Sequence, residues 1–209
     1  MVRDLVFVLA LMLPATWAWA DRYSDCHQSA DLDRLIRGCT QIIEWVEKLH
    51  SRGVGTEATQ KSRASAYNNR GSGYIKKGQL DRAIADYDKA IALDPNYAAA
   101  YNNRGLIYQK KGEVDRAIAD YDKAIKLDPN IAAAYRNRGL VVYNGKGEVD
   151  QAIADFRKVL EINPSDQVAK YFLTVLKAEK TAEEAGAAAK PKEQSCINPV
   201  RTAYGVRCR

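Results

Sequence analysis

Tyr67-Asn68-Asn69-Arg70-Gly71 recurs as Tyr101-Asn102-Asn103-Arg104-Gly105 and again as Tyr135-Arg136-Asn137-Arg138-Gly139. The tyrosines that open these three phrases are each 34 residues apart. A fixed period of that length is the signature of a repeat array, in which every unit is one supersecondary motif. The phrase therefore predicts that residues 65–164 are built from three copies of one unit.

Each unit carries the pattern of two helices. In the first unit Tyr67, Gly71 and Tyr74 are spaced i, i+4, i+7, which is the period of one helical face. A second apolar stripe with the same period follows, at Ala83, Ile84, Tyr87, Ala90 and Ile91. Small residues on these faces let the two helices approach while the tyrosines fill the remaining gaps. This packing predicts an all-α protein of stacked helix pairs, an α-solenoid.

Glycine and proline predict where the helices end. Each first helix should end on a basic last turn followed by a glycine that tolerates left-handed backbone, at Gly78, Gly112 and Gly147. Each second helix should stop before a proline, at Pro95, Pro129 and Pro164. The third unit is one residue longer, at Asn144-Gly145. We expect a turn there, because turns tolerate insertions.

These positions together resemble the tetratricopeptide repeat (TPR) family. The family's pattern of aromatic, Gly, Tyr, Ala, aromatic, Ala and Pro is met in the first unit by Tyr67, Gly71, Tyr74, Ala83, Tyr87, Ala90 and Pro95. The second unit meets it with Tyr101, Gly105, Tyr108, Ala117, Tyr121, Ala124 and Pro129. The third uses Tyr135, Gly139, Ala152, Phe156, Val159 and Pro164, with Val142 or Tyr143 at the tyrosine position. The resemblance implies a right-handed α-solenoid of antiparallel helix pairs, with units at about 64–97, 98–131 and 132–166 and a capping helix after them.

One departure from the family pattern is systematic. The position before each glycine, usually leucine in the family, is an arginine at Arg70, Arg104 and Arg138. These arginines recur in step with an acidic residue of the second helix, at Asp86, Asp120 and Asp155. We interpret them as partly buried ion pairs between helices, with the arginine stem covering apolar surface. The alternative is a row of cations for an anionic ligand.

The N-terminus predicts export. Residues 1–20 combine one basic residue, Arg3, with a short apolar core and a final Ala18-Trp19-Ala20, which is the pattern of a secretory signal peptide. Cleavage would leave a mature chain from Asp21 with the same net charge, +6, and with no further membrane-length apolar run. From the resemblance to exported bacterial repeat proteins, we expect a periplasmic or secreted location.

Residues 21–60 are interpreted as a divergent half repeat. Cys26 precedes Cys39 by 13 residues, so in an oxidising compartment a Cys26–Cys39 disulfide is expected to tie a preceding turn or short helix to this segment. Trp45 is expected in the core, because it lies beside the apolar stripe of Ile42, Ile43 and Val46. Self-association through Trp45 or the capping helix is left open.

The C-terminal part is predicted in three pieces. Residues 165–180 read as the capping helix, 181–195 as a linker that starts helical, and 196–209 as a basic tail looped by a Cys196–Cys208 disulfide. Four cysteines permit three pairings, and a bridge between the two ends of the chain stays open.

No constellation of residues points to catalysis. The two histidines, His27 and His50, have no partner at metal or catalytic spacing, and no phosphate loop or nucleophile elbow is present. We therefore predict a protein that is not an enzyme, with no cofactor, no metal and no small-molecule substrate.

The resemblance implies that the first helices line a concave groove. Its expected positions are Ser65, Asn68, Asn69 and Ser72; Ala99, Asn102, Asn103 and Leu106; and Ala133, Arg136, Asn137 and Leu140. Asn69, Asn103 and Asn137 occupy equivalent places, so they would form a ladder of amides that both donate and accept hydrogen bonds, as an extended peptide requires. The alternative is that each asparagine only bonds to neighbouring helix groups. The peptide-binding set is predicted as Asn68, Asn69, Asn102, Asn103, Arg136 and Asn137.

A subset of the family grips the C-terminal carboxylate of chaperones with basic and asparagine residues, and this sequence matches only part of that set. Asn103 fits, but Asn68 and Ser72 stand where a lysine and an asparagine are needed, and Ala133 and Asn137 stand where basic residues are needed. The leading hypothesis is a scaffold of the bacterial envelope that binds a protein or peptide. The alternative is an adaptor whose basic tail binds a polyanion such as nucleic acid, lipopolysaccharide or anionic glycan.

Overall fold

The structure is a computed structural model that describes residues 21–184. All regular secondary structure in this range is α-helical or a short turn, so the predicted all-α fold is confirmed. The predicted signal peptide, most of the linker and the tail with Cys196 and Cys208 lie outside the described residues. The chain divides into two compact units, 1–100 and 101–209.

The described chain runs through nine helices. In the first unit these are α1 (residues 21–28), α2 (Leu32–Ser51), α3 (Glu57–Lys76) and α4 (Leu80–Leu93). The unit boundary falls inside α5 (Ala98–Lys111), and α6 (Val114–Leu127), α7 (Ala132–Lys146), α8 (Val149–Ile162) and α9 (Gln167–Glu184) follow. The links between paired helices are two or three residues long, which makes neighbours antiparallel. The last helix ends four residues into the segment predicted as linker.

The helices begin and end where local chemistry stops the backbone pattern. Asp31 caps α2 by accepting hydrogen bonds from the amides of Asp33 and Arg34, at 2.8 and 3.2 Å. A reciprocal capping box between Thr56 and Thr59 opens α3. The glycines after the first helices have positive φ angles, 74°, 78° and 71° at Gly78, Gly112 and Gly147, as predicted.

The predicted turn at Asn144-Gly145 is wrong. Both residues lie inside α7, which has 15 residues where α5 has 14, so the extra residue lengthens the helix and leaves the following link unchanged. The last turn of α7 packs against α6, and a Cβ atom on Gly145 would lie 2.9 Å from the side chain of Val114. Glycine allows the helix to continue past this contact.

In the first unit the core forms around Tyr87 and the apolar stripe of α2. Tyr87 is fully buried, and its ring would lie 3.0 Å from a Cβ on Gly71. The predicted Cys26–Cys39 disulfide is present and fixes α1 on α2. Trp45 was predicted to lie in the core, and this prediction is wrong. Its exposed fraction is 37%, because the buried stripe of α2 takes Cys39, Ile42, Ile43 and Val46 and leaves Trp45 on its flank.

In the second unit the core is formed by aromatic and aliphatic side chains of α6 to α9. Tyr121 and Phe156 are fully buried at equivalent positions of α6 and α8. The ring of Phe156 stacks on Phe172 of α9 at 5.2 Å between centroids. The hydroxyl of Tyr143 donates to the Glu179 carboxylate at 2.8 Å. These contacts hold the apolar face of α9 against the third helix pair, α7 and α8.

Candidate peptide-binding faces

In every repeat the arginine before the glycine forms an ion pair with an aspartate of the following helix, which we call the clamp. Each guanidinium donates two parallel hydrogen bonds, from Nε and Nη2, to the aspartate of the following helix. The distances are 2.8 and 2.8 Å for Arg70–Asp86, 2.8 and 2.7 Å for Arg104–Asp120, and 2.9 and 2.6 Å for Arg138–Asp155. All three aspartates are buried. The prediction of structural, partly buried Arg–Asp pairs is confirmed.

The clamp also reaches the preceding second helix, which sequence reasoning missed. Arg70 Nη1 donates to the Thr40 hydroxyl of α2 at 3.0 Å, and Arg138 Nη1 donates to the Asp122 carboxylate of α6 at 2.5 Å. The signal was present in the spacing, because an aspartate lies two residues after the clamp aspartate in the first two repeats, at Asp88 and Asp122. Each of these two arginines therefore joins three helices.

Burial and hydrogen bonding act together on the clamp's ionisation. Burial is the largest single influence on the pKa of Arg70 and works to lower it, but the hydrogen bonds to Asp86 and the negative charge of that carboxylate, with smaller contributions from nearby tyrosines, together outweigh burial and raise the pKa. The pKa of Arg138 is raised further, first by its hydrogen bonds to Asp155 and then, against burial, by Asp122. Both guanidinium groups stay charged, so the clamps are fixed ion pairs.

In the first unit the predicted face lies on α3. Asn68 is buried, with an exposed fraction of 7%, and its amide donates to the Asn69 side-chain oxygen at 3.2 Å. Ser72 Oγ lies 3.1 Å from both the Asn68 carbonyl and the Tyr87 hydroxyl. Asn69 is partly exposed, and its amide nitrogen donates to no described residue.

The N-terminal end of the α3 face is covered by α1. His27 Nε2 lies 3.3 Å from Ser65 Oγ, and the His27 ring stacks on Tyr23 at 4.0 Å between centroids. The sequence predicted that the disulfide would tie α1 to α2, and nothing in it pointed to α3. In the first unit, Ser65 is therefore part of a contact between helices.

In the second unit three predicted residues form one chain of amides. Asn137 of α7 donates to the side-chain oxygen of Asn102 at 3.1 Å, and Asn102 donates to that of Asn103 at 3.2 Å. Asn102 is buried, with an exposed fraction of 8%, whereas Asn103 and Asn137 are partly exposed. The side-chain oxygen of Asn137 accepts no hydrogen bond from the described residues. Leu140, expected on this face, is buried in the core.

Arg136 has a different role from the amides beside it. Its Nη1 donates to Asp166 at 2.6 Å, and the other Asp166 oxygen accepts from the Ala169 amide at 2.9 Å in the first turn of α9. Asp166 is buried, so the pair ties α7 to the start of α9. The structure brings Asn102, Asn103 and Asn137 together and turns Arg136 toward the capping helix.

Between residues 21 and 184 no group of three or more His, Cys, Asp or Glu side chains lies close enough to hold a metal ion. In the same range, no helix combines the length and the apolar character needed to cross a membrane.

Comparison with known proteins places these helix pairs in one class, the helical-repeat proteins. A family model described as "TPR repeat" matches residues 71–112. Two models described as "Tetratricopeptide repeat" match residues 98–131 and 132–166. The chain belongs to the tetratricopeptide repeat family, and its fold is an all-α tetratricopeptide solenoid. None of the curated proteins matches it significantly.

Three solved structures illustrate the similarity. The first TPR of Spaghetti (RPAP3) bound to HSP90 peptide SRMEEVD has 26% identity and a TM-score of 0.55, over 58% of this chain and 95% of its own. The Arabidopsis OM64 TPR domain has 26% identity and a TM-score of 0.55, over 57% and 98%. The second TPR domain of human RPAP3, in complex with HSP70 peptide SGPTIEEVD, has 31% identity and a TM-score of 0.52, over 58% and 98%.

Proposed function

We propose that this protein is a non-catalytic interaction scaffold that binds an extended peptide segment of a partner protein on the first helices of its repeats. The observation that carries the proposal is the amide chain from Asn137 through Asn102 to Asn103, which joins two first helices and leaves the Asn137 oxygen open. Fixed amides meet the alternating N–H and C=O groups of a peptide at low entropic cost.

The similar structures support peptide binding and also indicate a difference in ligand. Two of them hold peptides whose sequences end in EEVD. In this chain Arg136, a basic residue next to Asn137 in sequence, is paired with Asp166. A face of amides whose neighbouring cation is already neutralised favours the backbone of a peptide over its terminal carboxylate.

We also propose that the protein is exported and works in the periplasm or outside the cell. The signal-peptide pattern of residues 1–20 and the Cys26–Cys39 disulfide support this location, because structural disulfides persist in oxidising compartments. N-terminal sequencing of the protein recovered from fractionated cells tests it, with Asp21 as the expected first residue. Recovery of the uncleaved chain from the cytosolic fraction would refute export.

Crosslinking capture from cell extract tests the scaffold. The wild type is compared with Asn69→Ala/Asn137→Ala, which removes one amide from each unit's face. A matched control, Asn96→Ala/Asn144→Ala, makes the same change at exposed asparagines whose side chains make no described contact. We expect the first variant to bind the partner about thirtyfold more weakly, since two hydrogen bonds of about 1 kcal/mol each are lost. The control should capture it fully.

Circular dichroism and urea denaturation establish that the variants stay folded. If both variants capture the partner equally and capture disappears at high salt, the amide faces are not the binding site. That result would favour the alternative, a polyanion bound by the basic tail at residues 196–209, because binding by a cluster of cations weakens steeply with salt.

A further inference from the structure

The third repeat differs in charge from the first two repeats at one position. The residue two positions after the clamp aspartate is Asp88 in the first unit and Asp122 in the second, but Arg157 in the third. Asp122 is used within the array, where it accepts a hydrogen bond from Arg138. After α8 no further arginine follows at the clamp position, which in α9 is taken by the apolar Leu173. The second helix of the third repeat, α8, therefore carries a cation where α4 and α6 carry a carboxylate.

Arg157 lines a cleft of about 360 Å³ between α8 and α9. The wall from α8 consists of Asp150, Ile153, Ala154 and Arg157, which share one face because they are spaced i, i+3, i+4, i+7. The wall from α9 consists of Lys177, Lys180 and Thr181. Ile153 is nearly buried and supplies an apolar floor.

The charges in the cleft are not balanced. Lys180 forms an ion pair with Asp150, which uses the one carboxylate among the lining residues. Arg157 and Lys177 make no hydrogen bond or ion pair with any described residue, and the exposed side chain of each borders the cleft. Two uncompensated cations over an apolar floor are complementary to a carboxylate side chain with an aliphatic stem.

We propose that this cleft is a second binding site, which takes an acidic peptide segment of a partner protein. Glutamate or aspartate side chains pair with Arg157 and Lys177, while adjacent aliphatic groups cover Ile153 and Ala154. The chain's own C-terminal segment does not have the required charge, since Lys190 to Arg209 contains five basic residues and one acidic residue. The site lies on the second-helix side of the last unit and is independent of the amide faces.

Fluorescence anisotropy with a labelled peptide of alternating glutamate and leucine tests the site in the full chain. A peptide with glutamine in place of glutamate serves as the second probe. Arg157→Glu/Lys177→Glu should weaken binding of the glutamate peptide about tenfold, since two partly exposed ion pairs are lost and reversed. The wild type should bind the glutamine peptide much more weakly.

The control variant is Lys126→Glu/Lys170→Glu, which makes the same change in net charge at exposed lysines outside the cleft. It should bind the glutamate peptide like the wild type. Equal weakening by both variants would overturn the proposal in favour of non-specific attraction. Tighter binding of a single-stranded oligonucleotide, lost in the cleft variant, would assign the site to a nucleic acid. Loss of cleft binding with normal Asn69/Asn137-dependent capture would leave the proposed scaffold function standing.

Discussion

The Arg70 clamp of the first repeat and the Arg138 clamp of the third repeat share one geometry but differ in the third residue that the arginine contacts. Arg70 joins Asp86 to the neutral hydroxyl of Thr40, whereas Arg138 joins Asp155 to the carboxylate of Asp122. The guanidinium is mostly buried in both, with 14% and 17% of its side chain exposed. One bidentate carboxylate is therefore enough to bury the arginine, and the third partner adjusts the strength of the clamp.

The largest expected effect comes from removing the bidentate carboxylate. Asp86→Ala leaves Arg70 with one described hydrogen-bond acceptor, the Thr40 hydroxyl, and should lower the free energy of unfolding by about 3 to 5 kcal/mol. Asp155→Ala leaves Arg138 beside Asp122, so its cost should be about half as large. Urea denaturation followed by circular dichroism measures both values.

The control for this pair is Glu44→Ala, a change at an exposed carboxylate with no described contact, expected within about 0.5 kcal/mol of the wild type. Equal losses for Asp86→Ala and Asp155→Ala would mean that the third partner contributes nothing, and the comparison between the clamps would fail.

An intermediate effect on stability is expected at alkaline pH, where a buried tyrosine of the first unit and one of the second should ionise at different pH values. Burial raises the pKa of Tyr87 to about 12, although the hydrogen bond with Ser72 works against the shift. Burial raises the pKa of Tyr121 further, and its hydroxyl donates to Gln109 instead. The folded-state pKa exceeds the unfolded value, so the stability is complete below pH 10 and is lost as the pH rises toward 12, by about 3 kcal/mol for Tyr87.

Tyrosinate absorbance during a pH titration tests this order, with Tyr87→Phe and Tyr121→Phe to assign the signals. Tyr87 should ionise first, and Ser72→Ala should raise its pKa because the hydroxyl no longer stabilises the phenolate. If Tyr121 ionises before Tyr87, the Ser72 bond is not what distinguishes the units.

The smallest expected effect comes from exchanging the third partners. Asp122→Thr should lower the free energy of unfolding by about 0.5 kcal/mol, because Asp122 is half exposed and its ion pair with Arg138 is weakened by solvent. Thr40→Asp should stabilise the first clamp by a similar amount, which differential scanning calorimetry at low and high salt can resolve. A destabilising Thr40→Asp would show that Thr40 is required by its own bond to the Ile36 carbonyl.

The regular parts of the chain were the parts that sequence reasoning predicted well. The helix pairs, the glycine ends, the Arg–Asp pairs and the Cys26–Cys39 bridge each follow from spacing and from residue chemistry. The turn predicted at Asn144-Gly145 was wrong, because the space beside Val114 decides whether the helix continues, and a neighbouring helix supplies that space. Trp45 was misplaced for a similar reason, since a helical face of limited width is filled by other residues.

The candidate site shows the same division. The sequence identified asparagines at equivalent positions, but whether an asparagine faces a ligand depends on the side chain beside it. Asn68 and Asn102 are buried against Asn69 and Asn103, and Arg136 is turned to Asp166. Such partners can lie far apart in sequence: Asp166 is 30 residues from Arg136, and Asn137 is 35 residues from Asn102.

The sequence by itself determined the repeat, its period, its helix pairs and the family, because each of these is written in residue types at fixed spacing. Only the tertiary structure decided which polar groups are satisfied by neighbours and which stay open. Thr40 and Asp122 became clamp partners, Ser65 became a contact for α1, and Arg157 became the edge of a cleft. The physical reason is that hydrogen bonds and ion pairs depend on distances between helices, and those distances are set by packing.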